Sequence, residues 1–207
     1  SGASFAKVDN NFKFPQVWRT SIGIDKKLPF DLDFSADIIY TKELNGVYQY
    51  NANYAVADTT YFTGTEWERA AYKKAASRSY VSTVREAMVL SNTNLGSGLS
   101  AAFTLSRNFK NGFSGSISYA YNNTKDITSN PGSQAASAWS NNRTVGGNNA
   151  QELAISEYST PNRVIANVSK KFEYGNRFGT TVSLVYDGYN PGRYSYIYSS
   201  DINNDGL

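Results

Sequence analysis

The 207-residue chain has no cysteine and no histidine. Without cysteine there is no disulfide, no thiolate nucleophile and no thiolate metal site. Without histidine the commonest general base and metal ligand is gone. An enzyme would have to work with carboxylates or lysines, and no nucleophile–base constellation is legible. No run of 18 apolar residues occurs, which excludes a transmembrane helix but not a membrane barrel, whose strands are half polar. The net charge is only +3 and the basic residues are scattered, so nucleic acid is not an expected partner. Residues 1–15 carry no apolar segment of the secretory type. The chain stops at Asn204-Asp205-Gly206-Leu207, in what reads as the middle of a loop. Both ends read as cuts in a longer polypeptide.

Tyrosine, phenylalanine and glycine are abundant, at 16, 11 and 16 residues, and the mean hydropathy is −0.48. That mix favours an all-β chain. The stretch from Leu99 to Asn122 is the clearest signal. Leu99, Ala101, Phe103, Leu105 and Phe109 share one parity, and Ser100, Ala102, Thr104, Ser106 and Asn108 the other. After Asn111-Gly112, Phe113, Gly115, Ile117, Tyr119 and Tyr121 alternate with serines. Period-two alternation around Asn-Gly predicts a hairpin. Each arm is about ten residues, enough to cross a bilayer as a tilted strand. A small polar face opposite an aliphatic and aromatic face suits a wall between water and lipid.

The same pattern predicts wall strands at 16–26, 31–41, 98–109, 113–123, 161–172 and 178–187. Short turns at 27–30, 110–112 and 173–177 alternate with long polar loops at 43–83, 124–150 and 188–207. Short turns on one side and long loops on the other mark an outer-membrane barrel. Val84–Ser91 is expected to extend above the wall rather than join it. Two same-sense strands would otherwise be neighbours, joined only by 92–97. Glu66–Ala76 is expected to form a short helix. Six strands are too few to close a large barrel, so the expected fold is an antiparallel meander over residues 1–207, part of a larger transmembrane wall.

Candidate site residues fall in the loops. Tyr48, Tyr50, Tyr54, Tyr61, Phe62 and Trp67 could stack on a ligand or pack among themselves, with part of them in an interfacial girdle. Tyr189, Tyr194, Tyr196 and Tyr198 read as girdle and strand residues. Asp201, Asn203 and Asp205, followed by Gly206, match the opening of a calcium loop, although a polar turn gives the same string. No other cofactor is expected. Asp25, Asp31, Asp33 and Asp37, with Arg19 nearby, read as lumen charges rather than an acid–base pair.

Three stretches together resemble the C-terminal barrel region of TonB-dependent outer-membrane receptors, in particular the Oar-like subgroup with a carboxypeptidase-regulatory-like domain. They are FKFPQVWRTSIGIDKKLPFDLDFSADIIYTKELNGV, VLSNTNLGSGLSAAFTLSRNFKNGFSGSISYAYNNTKD and TPNRVIANVSKKFEYGNRFGTTVSLVYDGYNPGRYSYIYSSDINNDG. The resemblance implies a fragment of a 22-stranded barrel with a plug, located in the outer membrane. It implies as partners lipid, the rest of the barrel, the plug, TonB acting through the plug, and a scarce nutrient that is imported. The other reading of the alternation is a secreted or surface β-sandwich with an adhesive or structural role, in which the apolar face is buried between two sheets.

Overall fold

Apolar–polar alternation builds strands with two unlike faces, and the chain is all-β. The computed structural model describes residues 2–175 and 177–206; Ser1, Asn176 (in the turn expected at 173–177) and Leu207 lie outside the described residues. The strands are β1 (Ala3–Val8), β2 (Gln16–Leu28), β3 (Leu32–Asn51), β4 (Thr59–Tyr61), β5 (Arg69–Ala71), β6 (Val84–Thr93), β7 (Ser97–Asn108), β8 (Phe113–Asp126), β9 (Ala154–Ile155), β10 (Asn162–Tyr174) and β11 (Phe178–Tyr189). One helix, α1 (Ala135–Asn141), lies between β8 and β9. Nine strands share a sheet, and β4 with β5 forms a separate ribbon.

The six expected wall strands are β2, β3, β7, β8, β10 and β11, each antiparallel to its neighbours in that order. Two edges stay open, because β2 pairs only with β3 and β11 only with β10 among the described residues. The sheet is mixed rather than a pure antiparallel meander. Residues 3–8, read from sequence as a connection, form a strand parallel to β6. The segment after it crosses to β2 and is fastened by Asn92. That carboxamide accepts from the Lys13 N–H at 2.7 Å and donates to the Lys13 carbonyl at 2.9 Å.

β6 also has a simpler place than expected. Lys42 of β3 pairs with Ser97, and Gly46 of β3 pairs with Thr93. Four residues on one side match four on the other, so no residue is gained or lost. β6 and β7 therefore lie end to end along β3, and residues 94–96 interrupt the strand without turning it. This removes the same-sense clash that the sequence reading raised. It also explains why β3 runs on to Asn51, well past the wall. Gly46 and Gly96 line the interruption, and a Cβ on either would collide with the Glu43 carboxylate lodged between them. Burial there, with Asp126 nearby, raises the Glu43 pKa.

Two local expectations change. Glu66–Ala76 is not a helix; it contributes β5, and a single helical turn spans Ala75–Arg78. Asp31 is not a strand residue. It ends the Pro29–Asp31 turn with φ +53, so the carboxylates on that face of β3 are Asp33, Asp37 and, farther along, Glu43.

Across the six strands the register puts like with like. The row Ile24, Ala36, Phe103, Tyr119 and Val164 is apolar on one face. The opposite face carries Asp25, Asp33, Asp37, Arg163 and Asp187, with hydroxyl pairs such as Thr104–Ser118 at 2.9 Å and Ser114–Ser169 at 2.6 Å. Arg163 makes a two-pronged bond to Asp187 at 3.0 and 2.7 Å. No second layer covers the apolar face among the described residues: Ile22 is 70% exposed and Leu184 76%.

The apolar face has slanted borders. On its long-loop side the last apolar residues are Trp18, Tyr40, Leu99, Tyr121, Val164 and Tyr186. By cross-strand register, Tyr186 lies level with Lys26, eight residues along β2 from Trp18. At about 3.3 Å per residue and about 4.8 Å per strand, that border descends roughly 26 Å over roughly 24 Å. On the short-turn side the first charges are Lys26, Arg107 and Lys170. Arg107 lies two residues, and Lys170 four, beyond the row of Lys26. That is a descent of about 13 Å over about 19 Å. The two slopes, roughly 35° and 47°, bracket the tilt of about 35–45° of strands in membrane barrels. Between the borders the strip is about 20 Å tall after correction for tilt, close to the outer apolar band of about 25 Å in such barrels.

Candidate functional site

All long connections leave from one end of the sheet, and the packed core of the chain is there rather than in the wall. Tyr48, Ala71, Tyr72, Met88, Ala138 and Trp139 are buried. Helix α1 supplies Ala138 and Trp139. It starts at Gln134, whose backbone N–H reaches the Ser137 hydroxyl at 3.2 Å. The Trp139 ring meets Tyr54 edge-on at 5.1 Å, and Tyr54 meets Tyr72 edge-on at 5.6 Å.

Asparagines bind this core together. The Asn149 side chain accepts from Trp139 Nε1 at 2.8 Å and from the Asn51 N–H at 2.9 Å, and donates to the Asn51 carbonyl at 2.9 Å. Its own carbonyl accepts from the Tyr48 hydroxyl. Asn53 donates to the carbonyls of Val81 and Val84 at 3.0 and 2.6 Å. These residues were not singled out in the sequence, where they sit in polar strings that resemble solvated loop.

The six candidate aromatics divide. Tyr48, 6% exposed, stacks with Tyr50 at 5.9 Å, and Tyr54 lies inside the cluster. These three build the platform. Tyr61 ends β4, and Phe62 follows it with φ +58. Trp67, 57% exposed, faces an open groove of ≈ 960 Å³ between residues 126–157 and 193–205. Arg69 also lines it, its guanidinium 5.0 Å from the Tyr198 ring centroid. Exposed Arg143, Arg193, Tyr194 and Tyr196 also line it, and so do the carboxylates of Asp126, Glu152, Glu157 and Asp205. Stacking rings beside guanidinium donors and carboxylate acceptors in one concave site suit a ligand with flat faces and both donors and acceptors.

Asp201, Asn203 and Asp205 do come together, as a hydrogen-bonded turn. The Asp201 carboxylate accepts from the N–H groups of Asp205 and Gly206, both at 2.9 Å, and the Asn203 amide donates to Asp205 at 2.8 Å. The turn docks on the first loop: Tyr72 N–H donates to the Asn203 carbonyl at 2.9 Å, and Asn204 donates to the Tyr72 carbonyl at 2.9 Å. Among the described residues no group of three or more carboxylates is placed to hold a metal ion.

Burial pushes the Tyr48 phenol up to about 12, and raises Tyr54 and Tyr72 as well. Phenols of the unfolded chain ionise near pH 10. The cluster's stability is therefore fully present below about pH 10 and falls as pH rises toward about 12. Absorbance titration of phenolate is expected to show these three of the 16 tyrosines ionising only as the loops open. A single transition near pH 10 for all of them, with the loops still protected from proteolysis, would contradict this placement.

Comparison with family models, curated proteins and solved structures finds no match to this chain.

Proposed function

We propose that the chain is part of the wall and outer loops of a TonB-dependent outer-membrane receptor, a protein that takes up a scarce nutrient rather than an enzyme. Lipid, the remaining strands, the plug, and TonB acting on the plug are its partners in this reading. The observation that carries it is the apolar face: uncovered, free of carboxylates, and bordered by two lines slanted at the tilt of barrel strands. A sandwich needs that face buried against a second sheet, and none covers it among the described residues. The loop groove is then the ligand-facing part, with Trp67 and Arg69 in its lining.

Trp18 tests the reading. It sits at the upper border of the apolar face, edge-on to Tyr40 at 6.1 Å, as an interfacial aromatic does. In vesicles of acyl-chain-brominated lipid, about a third of the tryptophan emission is expected to be quenched, since one of three tryptophans lies on the wall. Trp18→Phe is expected to abolish that quenching. A protein that stays monodisperse without detergent and shows no quenching would sink the proposal.

A further inference from the structure

We infer that Lys26, Arg107 and Lys170 form a line that holds the phosphates of anionic phospholipids in the membrane leaflet on the short-turn side. This rests on the wall reading above. Three observations carry it.

The first is sign. The apolar face of the six strands carries Lys26, Lys42, Arg107, Lys125 and Lys170 and no Asp or Glu; the wall carboxylates Asp25, Asp33, Asp37, Glu173 and Asp187 all fall on the other parity. A border that only had to end the oily strip could use either sign. The exclusion of one sign selects an anionic neighbour.

The second is depth. Lys26, Arg107 and Lys170 are offset by two residues per two strands. Strands tilted about 35° bring all three to one level. Phosphates of one leaflet lie at one level too.

The third is presentation. None of the three is in an ion pair among the described residues. The Arg107 guanidinium carbon lies 4.4 Å from the Phe109 ring centroid, and Lys170 Nζ lies 4.4 Å from that of Phe113. Lys170 also donates to the Asn111 carbonyl in the turn. Rings seated at the lipid boundary hold Arg107 and Lys170 there, and a guanidinium matches a phosphate.

The test is lipid retention. The protein is incubated with vesicles of equal phosphatidylglycerol and phosphatidylcholine, then purified in neutral detergent, and the retained lipid is quantified by mass spectrometry. Phosphatidylglycerol is expected to be enriched about fivefold per cation engaged. The enrichment should vanish in Lys26→Gln/Arg107→Gln/Lys170→Gln and persist in Lys26→Arg/Lys170→Arg. Equal retention of both lipids by the native chain overturns the inference and leaves the wall reading standing, whether or not the triple variant folds. Displacement of the retained lipid by millimolar inorganic phosphate also overturns it, because the line would then be a site for a free anion. Retention of neither lipid overturns both readings.

Discussion

Truncating Trp139 to alanine is expected to destabilise the loop cluster by about 3–5 kcal/mol and to leave the wall intact. The ring is 7% exposed, packs edge-on against Tyr54, and donates to Asn149. Its loss opens a cavity in the packed core at the loop end of the sheet. It also frees the Asn149 side chain, which holds Asn51 at both its N–H and its carbonyl. Asn51 is the last residue of β3, so the damage stops where the wall's own ladder takes over. Hydrogen exchange should show amides of 48–54 and 135–149 losing at least a hundredfold in protection, since each 1.4 kcal/mol is tenfold, while those of β7, β8 and β10 keep theirs. Asn149→Ala should give a smaller loss at the same amides, because it strands donors and an acceptor without removing a ring. Loss spread evenly into β7 and β8 would show that loops and wall form one cooperative unit, contrary to this reading.

The division between the two parts explains what was legible in the sequence. The wall is written in period two. Phe103 faces Tyr119, and Leu105 faces Ile117, because a strand alternates whatever surrounds it. The Asn111-Gly112 turn was equally plain: Gly112 has φ +79, and a Cβ there would lie 2.7 Å from the Lys171 carbonyl oxygen. The loops follow no period. Asn51 and Asn149 are spelled like solvated asparagines, and only the packing of Trp139 and Tyr48 around them makes them structural. Ala135–Asn141 is too short to show helical periodicity, and Glu66–Ala76, which has the composition of a helix, lost to pairing of Arg69–Ala71 with Thr59–Tyr61. β6 does lie above the wall, as expected, but its continuity with β7 was missed for a different reason. A break of three residues reads as a loop, and only the unshifted register with β3 reveals a single line of chain. Within the candidate site, Trp67 was legible as a loop aromatic, while Arg69, Arg143 and Arg193 gained meaning only when the tail and the second loop met.

Placing an arginine at the middle of the apolar face is expected to have the other large effect. Phe103 lies midway between the slanted borders, flanked in its row by Ala36 and Tyr119. In a lipid-facing wall, Phe103→Arg should cost about 2–4 kcal/mol, the cost of a cation at the bilayer midplane of a barrel. Lys26 and Arg107 avoid that cost by standing at the border, where long side chains reach water. The neighbouring Ala102 has the opposite parity and faces the polar side, so Ala102→Arg should cost much less. Urea unfolding of both variants in detergent micelles, against the native chain, reads the difference. The sign separates the two architectures. If the exposed strip faces lipid, Phe103→Arg is the damaging change. If the strip faces water, the same substitution removes an exposed ring from a flat apolar surface, and the protein should become more soluble at no loss of stability. A destabilised Phe103→Arg beside a near-native Ala102→Arg is the result expected of a wall. The reverse order would mean that the two faces have been assigned the wrong way round, and with them the lumen charges Asp25, Asp33 and Asp37.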